Sequence, residues 1–221
     1  MVTKQAPDPY GFTEYRGRPM LNIDKAAVML MESKLGYALT VVQAIGDAPA
    51  SAGYHAQGRM LDLAYWDAEN KNRVAKDCGL ASWIRDDRDN MVEHLHQAVI
   101  FAQRGNKRGI SSGGLAQIGS FDRGMNGLAV ERKDRDAYRP SPKKMITHEQ
   151  YEFIITGGLT LPEPNAVTRM RDGMVETLHE LSLSIREGKD VEGRPVVEAT
   201  VEDLKKYRRE IRDRLEKMPK R

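Results

Sequence analysis

The sequence predicts an α+β fold, with a small, mostly antiparallel sheet, flanking helices and a helical extension at the C-terminus. Two patterns predict it. Between residues 21 and 103, helical periodicity and β-rich runs give the order helix, strand, loop and strand, helix, strand, strand. Towards the C-terminus, two long segments repeat apolar residues at helical spacing.

The first helix is predicted to begin at Asn22 or Asp24 and to end at Leu35, because apolar residues recur at helical spacing and Gly36 can terminate it. Residues 1–20 contain proline and glycine without periodicity and indicate an extended N-terminal arm. Three aromatic side chains are candidates for anchoring this arm to another surface: Tyr10, Phe12 and Tyr15.

Four further β-rich runs indicate strands, at residues 37–45, 60–65, 80–85 and 91–101, with a second helix at 68–78. Residues 104–160 indicate an irregular connecting region, in which only 146–160 suits another helix or strand. The helical extension, 161–221, holds a helix at 165–187 and a last helix capped by Thr200. Their predicted apolar stripes are Met170, Met174, Leu178 and Leu181, then Val201, Leu204, Ile211, Leu215 and Met218.

Composition excludes several classes of protein. Of the 221 residues, only Cys78 is a cysteine, so an intrachain disulfide and a four-cysteine zinc site are excluded, and Cys78 is interpreted as a small core residue. No apolar run approaches the ~20 residues of a membrane helix, and the N-terminus lacks the apolar core of a signal peptide. The net charge is only +3, and a basic last helix is weak support for nucleic-acid binding.

Three residues form a candidate metal site. His55 lies in a loop of small residues, Asp62 follows it by seven residues, and His96 lies in the last predicted strand. Two imidazoles and one carboxylate are a zinc-binding set that leaves a fourth position open. Asp62 stands between two leucines in a strand, where a buried carboxylate requires a strong partner.

Two neighbours of His96 are candidate catalytic residues. Glu93 has the chemistry of a general base that takes a proton from water and returns it to a leaving amine. Simple strand alternation puts Glu93 on the face opposite His94 and His96, so Glu93 reaches the site only if the chain bulges where the strand begins. Otherwise His94 is the better candidate for polarising water or stabilising an oxyanion.

The segments SAGYHAQGRMLDL (51–63) and EHLH (93–96) resemble the zinc D-Ala-D-Ala carboxypeptidase and L-Ala-D-Glu endopeptidase family, which shares its fold with the Hedgehog signalling domain. The first family motif has His, Gly three residues on and Asp seven residues on, as in His55, Gly58 and Asp62. The second has an acidic residue three before the last His, as in Glu93 and His96. The approach segment, residues 20–46, is similar to phage-encoded members from viruses of actinobacteria.

The resemblance covers residues 21–103 and implies a zinc peptidase-like domain that cleaves an amide bond of a peptidoglycan stem peptide. It implies that an arginine binds the peptide carboxylate, and Arg59 or Arg85 can serve. The family often has a serine two residues before the first His. This chain has Gly53 there, and Ser51 lies four before, so Ser51 is a further candidate substrate-binding residue.

The function expected from these features is a phage peptidoglycan hydrolase that uses zinc-activated water. It is expected in the virion, attached to tail proteins through the N-terminal arm and the C-terminal helices, or released to the host cell wall. The absence of a signal peptide agrees with either route. The alternative is a structural virion protein that uses a peptidase-like zinc fold as a binding module without turnover.

Overall fold

The computed structural model describes residues 5–46, 53–89, 91–102, 108–164, 166–187 and 198–218. Within these residues the fold is α+β, as the sequence predicts. The strands are β1 (Phe12–Tyr15), β2 (Arg18–Leu21), β3 (Val41–Gln43), β4 (Met60–Ala64), β5 (Leu80–Arg85) and β6 (His94–Val99). The helices are α1 (Asn22–Leu35), α2 (Ala68–Asp77), α3 (Ser112–Asp122), α4 (His148–Ile155), α5 (Ala166–Glu187) and α6 (Glu198–Lys217).

The chain divides into two compact units. The first unit comprises Met1–Ile84 and His94–Pro162, and the second comprises Arg85–Glu93 and Glu163–Arg221. The first unit therefore contains helices α1 to α4 and both sheets except Arg85, the last residue of β5, whereas α5 and α6 belong to the second.

The main sheet has the strand order β3-β4-β6-β5. Strand β4 is antiparallel to both β3 and β6. Its register with β6 sets Asp62 opposite His96 and Ala64 opposite His94. Because side chains directly opposite each other in an antiparallel pair lie on the same face, this register brings the acidic and imidazole side chains together.

One face of the sheet carries both the candidate metal ligands and a hydrophobic cluster. Met60 on β4 and Ala98 on β6 share the face of Asp62 and His96, and they pack with Trp83 and Phe121. Phe121 lies on α3, whose Leu115 and Ile118 also pack against the cluster. Helix α3 therefore covers the face of the sheet that bears the site.

Helix α3 corrects the expectation of an irregular region. Its N-cap is Ser111, whose hydroxyl accepts a hydrogen bond from the Gly114 amide. A Cβ at Gly113 would lie 1.9 Å from the Tyr54 ring, and one at Gly114 would lie 2.7 Å from Ile110. These glycines have low intrinsic helix propensity, which hides the helix from sequence reasoning, but they permit the helix to approach its neighbours closely.

The N-terminal residues form a hairpin where the sequence indicates an extended arm. Strands β1 and β2 pair antiparallel around Arg16 and Gly17, which both have positive φ angles, 55° and 71°. The Tyr15 hydroxyl donates to Glu32 of α1 at 2.7 Å, and Tyr10 is buried with its ring 6.2 Å from that of Phe101. Two of the three proposed anchors thus contact this chain itself, and Phe12 is exposed.

The second unit contains the predicted helical extension, in which α5 packs against α6. The predicted stripe of α5 is wrong at Met170, which is 63% exposed. The buried row of α5 comprises Thr168, Arg171, Val175 and Leu178. Because Thr168 and Arg171 are polar, a search for apolar periodicity does not find this row. On α6, Ile211 and Leu215 are buried as predicted. Among the described residues, none of the helices combines the length and the apolar character needed to cross a bilayer.

Cys78, which follows α2, is a free and buried cysteine, as the sequence predicts. Burial raises the pKa of its thiol to about 12. Because only the thiolate reacts with alkylating agents, we expect iodoacetamide at pH 8 to modify the folded protein on the order of 10³-fold more slowly than the unfolded chain. Mass spectrometry with and without guanidinium measures this ratio, and equal rates would contradict the burial of Cys78.

Candidate metal centre

Three side chains converge at the middle of the main sheet. Asp62 lies on β4, His96 lies opposite it on β6, and His55 lies in the loop that leads into β4. All three residues are buried, and one ligand atom from each lies within 4.8 Å of the others. This group can hold a metal ion, as the sequence predicts.

The hydrogen bond on one side of His55 orients the opposite ring nitrogen towards Asp62. Nδ1 lies 2.9 Å from the Ala44 carbonyl oxygen, which can only accept, so Nδ1 carries the proton. In the neutral ring, Nε2 then has a lone pair, and it lies 3.4 Å from Asp62 Oδ2. Two electron-pair donors that face each other in a buried site can bind a cation between them.

His96 has a matching arrangement. Nε2 lies 2.8 Å from Gln117 Oε1, an amide oxygen that accepts, and Nδ1 lies 2.8 Å from Asp62 Oδ1. The ring stacks near Trp83, with the two ring centroids 6.1 Å apart. When the proton is on Nε2, the lone pair of His96 Nδ1 points to the carboxylate of Asp62. The Nε2 lone pair of His55 points to the same carboxylate. Metal-binding histidines commonly donate their other ring N–H in this way.

The histidines around Asp62 favour its ionised form. Burial acts to raise the pKa of Asp62, but the adjacent imidazoles of His94, His96 and His55 together hold it well below its usual range. Burial lowers the pKa of His55, against the opposing charge of Asp62. A carboxylate and a neutral imidazole are the protonation states that bind a metal ion.

His94 lies beside this group on the same face of β6. Its Nε2 lies 3.6 Å from Asp62 Oδ1, and its ring centroid is 6.1 Å from that of His96. The ring is partly exposed, in contrast to the two buried histidines. His94 is therefore more accessible than the two histidines of the candidate metal group.

Glu93 precedes β6 and belongs to the second unit. Arg212 Nη1 on α6 donates to Glu93 Oε1 at 2.8 Å, and the Glu93 side chain is only 5% exposed. Among the described residues, Oε2 of this carboxylate is buried and accepts no hydrogen bond. The role of Glu93 as a general base stays a prediction.

The predicted substrate-binding residues are not brought together by any described contact. Arg59 is buried, and its guanidinium donates two hydrogen bonds to the Val99 carbonyl, at 3.1 and 2.9 Å. Arg85 is buried at the end of β5 and belongs to the second unit. Ser51 lies outside the described residues. Substrate binding by these three residues stays a prediction.

The turn between His55 and Asp62 is held by the start of α1. Gly58 has φ +91°, and a Cβ there would lie 2.6 Å from Leu21 Cδ1, so only glycine fits. The carboxylate of Asp24 accepts hydrogen bonds from the Arg59 and Leu21 amides, at 3.0 and 3.3 Å. Asp24 therefore links the N-terminus of α1 to the loop that bears His55.

Asp24 gives the stability of the protein a specific pH dependence. Burial raises its pKa from 3.8 to about 7, against the hydrogen bonds from the two amides. The folded state therefore holds the proton of Asp24 more tightly than the unfolded chain does. The stability that this proton contributes is fully present below about pH 4 and is lost as pH rises through 7. The raised pKa corresponds to about 4 kcal/mol of unfolding free energy.

We therefore expect Asp24→Asn, which cannot ionise, to gain up to about 4 kcal/mol of unfolding free energy relative to wild type between pH 4 and pH 8. Urea denaturation at several pH values measures the difference. Asp203→Asn, at an exposed position of α6, controls for the loss of one carboxyl group. A difference that stays constant with pH would contradict the raised pKa of Asp24.

Sequence reasoning misses two groups that orient the ligands. Gln117 lies on α3, which the glycines conceal, and the Ala44 carbonyl is a backbone group without a sequence signature. A detectable signal for α3 exists in the N-cap Ser111 followed by Leu115, Ile118 and Phe121 at helical spacing.

No protein-family model, no curated protein and no solved structure matches this chain. Its function is therefore inferred from the residues of the site and from the resemblance of its two short motifs.

Proposed function

We propose that this chain is a zinc peptidase of the D-Ala-D-Ala carboxypeptidase and L-Ala-D-Glu endopeptidase type, which hydrolyses an amide bond in a peptidoglycan stem peptide. One observation carries the proposal. His55 and His96 each direct a ring nitrogen at Asp62, and the other ring nitrogen of each is hydrogen-bonded to an oxygen, of Ala44 and Gln117 respectively. Outer hydrogen bonds of this kind commonly fix the orientation of metal-binding histidines, and they support the proposal.

The donor set favours zinc among the common metal ions. Two imidazole nitrogens and one carboxylate suit Zn²⁺, whereas Ca²⁺ and Mg²⁺ prefer six or more oxygen ligands. Three protein ligands leave a position for a water molecule or a substrate oxygen. When bound, zinc supplies the Lewis acidity that activates water and polarises a carbonyl group.

The remaining chemistry belongs to side chains of this protein. In the proposed reaction, a water oxygen bonds to the acyl carbon, the amide C–N bond breaks, and a proton passes from the water to the leaving nitrogen. Glu93 is the proposed carrier of that proton. His94, which is partly exposed beside Asp62, is the proposed donor to the developing oxyanion.

A cleavage assay tests this function. Purified protein is incubated with purified actinobacterial peptidoglycan, and released fragments are identified by mass spectrometry. We expect new amino termini within the stem peptide, lost after treatment with a chelator and restored by zinc. Identification of the fragments also tells which amide bond is cut. Protein that contains zinc but releases no fragment would reject the peptidase proposal.

The setting that fits the resemblance is a bacteriophage of actinobacteria. In this proposal the enzyme is part of the virion tail, or is released to the host cell wall. The α5–α6 helices belong to a different compact unit from the candidate metal ligands, which supports a role in attachment to tail proteins. Mass spectrometry of purified virions tests this step. Absence of the protein from the particles would leave only the alternative of an enzyme released to the cell wall.

A zinc-binding module without turnover is the second candidate function. One observation favours it: Arg212 Nη1 donates to Glu93 Oε1 at 2.8 Å, so this oxygen of the proposed base already has a hydrogen-bond partner within the protein. In that case the protein binds peptidoglycan or a virion partner through the same fold. Peptidoglycan binding without release of fragments would support this function over hydrolysis.

A further inference from the structure

Helix α3 contacts the candidate metal centre at two places, beside His55 and at His96. At its start, the Ser111 hydroxyl donates to the Tyr54 carbonyl at 3.3 Å, and Gly113 lies directly against the Tyr54 ring. Tyr54 is adjacent to His55. One and a half turns further along α3, Gln117 reaches His96. The helix therefore contacts the loop of one histidine ligand and the side chain of the other.

Gln117 is the part of α3 that acts on a ligand. It is 7% exposed, and its Oε1 accepts the Nε2 proton of His96 at 2.8 Å. An imidazole has two nitrogens, and in the neutral ring only one of them can bind a metal. By holding the proton on Nε2, the amide oxygen makes Nδ1, which lies 2.8 Å from Asp62 Oδ1, the nitrogen that can bind a metal.

Without this acceptor, the ring has a different preference. Asp62 is a charged acceptor 2.8 Å from Nδ1, and it attracts the single proton of a neutral His96 to that nitrogen. The lone pair would then lie on Nε2, which faces α3 and points away from His55 and Asp62. Gln117 opposes this competing tautomer.

We infer that Gln117 is a positioning residue, which selects Nδ1 of His96 as the metal ligand and thereby sets the metal affinity of the centre. The inference rests on the proposed zinc site and does not require peptidase activity. An amide also adds no charge, so a divalent ion bound by one carboxylate keeps a net positive charge.

Zinc affinity measured by competition with a chromophoric chelator tests this role. We expect Gln117→Leu to bind zinc about 10–100-fold more weakly than wild type, the range found when outer partners of metal ligands are removed. We expect Gln117→Glu, which keeps an acceptor oxygen, to bind at least as tightly as wild type. Gln97→Leu, which removes a buried glutamine from the other face of β6, is the matched control.

A spectroscopic readout separates positioning from a general loss of structure. In the zinc-loaded protein, NMR is expected to show His96 coordinated through Nδ1 with a slowly exchanging proton on Nε2, in wild type and in Gln117→Glu. In Gln117→Leu that proton is expected to exchange rapidly, while circular dichroism matches wild type.

The possible outcomes are distinct. Equal zinc affinity in wild type and Gln117→Leu, or coordination of His96 through Nε2, would overturn the inference and leave the peptidase proposal standing. Weakened affinity in Gln117→Leu with rescue in Gln117→Glu supports the inference, even if no variant cleaves peptidoglycan. Absence of zinc binding in every protein, wild type included, overturns both.

Discussion

Replacement of His55 by alanine is expected to lower zinc affinity by about 10²–10⁴-fold. Zinc sites in proteins contribute about 10–16 kcal/mol, and removal of one of three ligands therefore costs about 3–5 kcal/mol if the ligands share this energy. His55 also brings a pre-oriented lone pair, because its Nδ1 is hydrogen-bonded to Ala44. The alanine side chain offers neither a ligand nor a substitute for it.

Chelator competition measures this affinity in the purified variant. His148→Ala is the matched control, because this histidine is exposed on α4 and contacts none of the three ligands through any described hydrogen bond. Cleavage of peptidoglycan is expected to fall in parallel with zinc content in His55→Ala and to be unchanged in the control. Wild-type affinity in His55→Ala would mean that His55 is not a ligand.

Replacement of Glu93 by glutamine is expected to lower the rate of peptidoglycan cleavage by about 10²–10⁴-fold, the usual contribution of a general base. Glutamine has nearly the same shape and keeps an oxygen that can accept from Arg212, so the fold and the metal content are expected to remain. Zinc analysis and cleavage kinetics on the same preparation measure both properties.

Glu152→Gln, at an exposed position of α4, controls for the loss of a carboxylate. If Glu93→Gln retains wild-type turnover, Glu93 is not the base, and His94 becomes the leading candidate to handle the proton. If wild type itself has no turnover, the comparison instead supports the binding module.

The sequence singles out Asp62 and His96, two of the three candidate metal ligands, because each has a local signature. Asp62 stands between two buried leucines, and a carboxylate at such a position needs a partner. His94 and His96 are two residues apart, which puts them on one face of a strand. The structure brings Asp62 directly opposite His96 in the antiparallel pair of β4 and β6.

Other features depend on contacts that no local pattern reveals. Glu93 pairs with Arg212, 119 residues away, and nothing near either residue indicates that pairing. Arg59 is a candidate substrate-binding residue, and nothing near it in the sequence indicates that its buried guanidinium binds the Val99 carbonyl. Gln117 is concealed within a glycine-rich helix. In each case the partner is chosen by tertiary packing, which overrides intrinsic propensity.

Metal analysis of the native wild-type protein, purified without added metal or chelator, tests the central claim most directly. Inductively coupled plasma mass spectrometry is expected to find one zinc ion per chain in wild type and little or none in His55→Ala. A wild-type protein that contains no zinc, and takes up none when zinc is supplied, would contradict the assignment of His55, Asp62 and His96 as a metal centre.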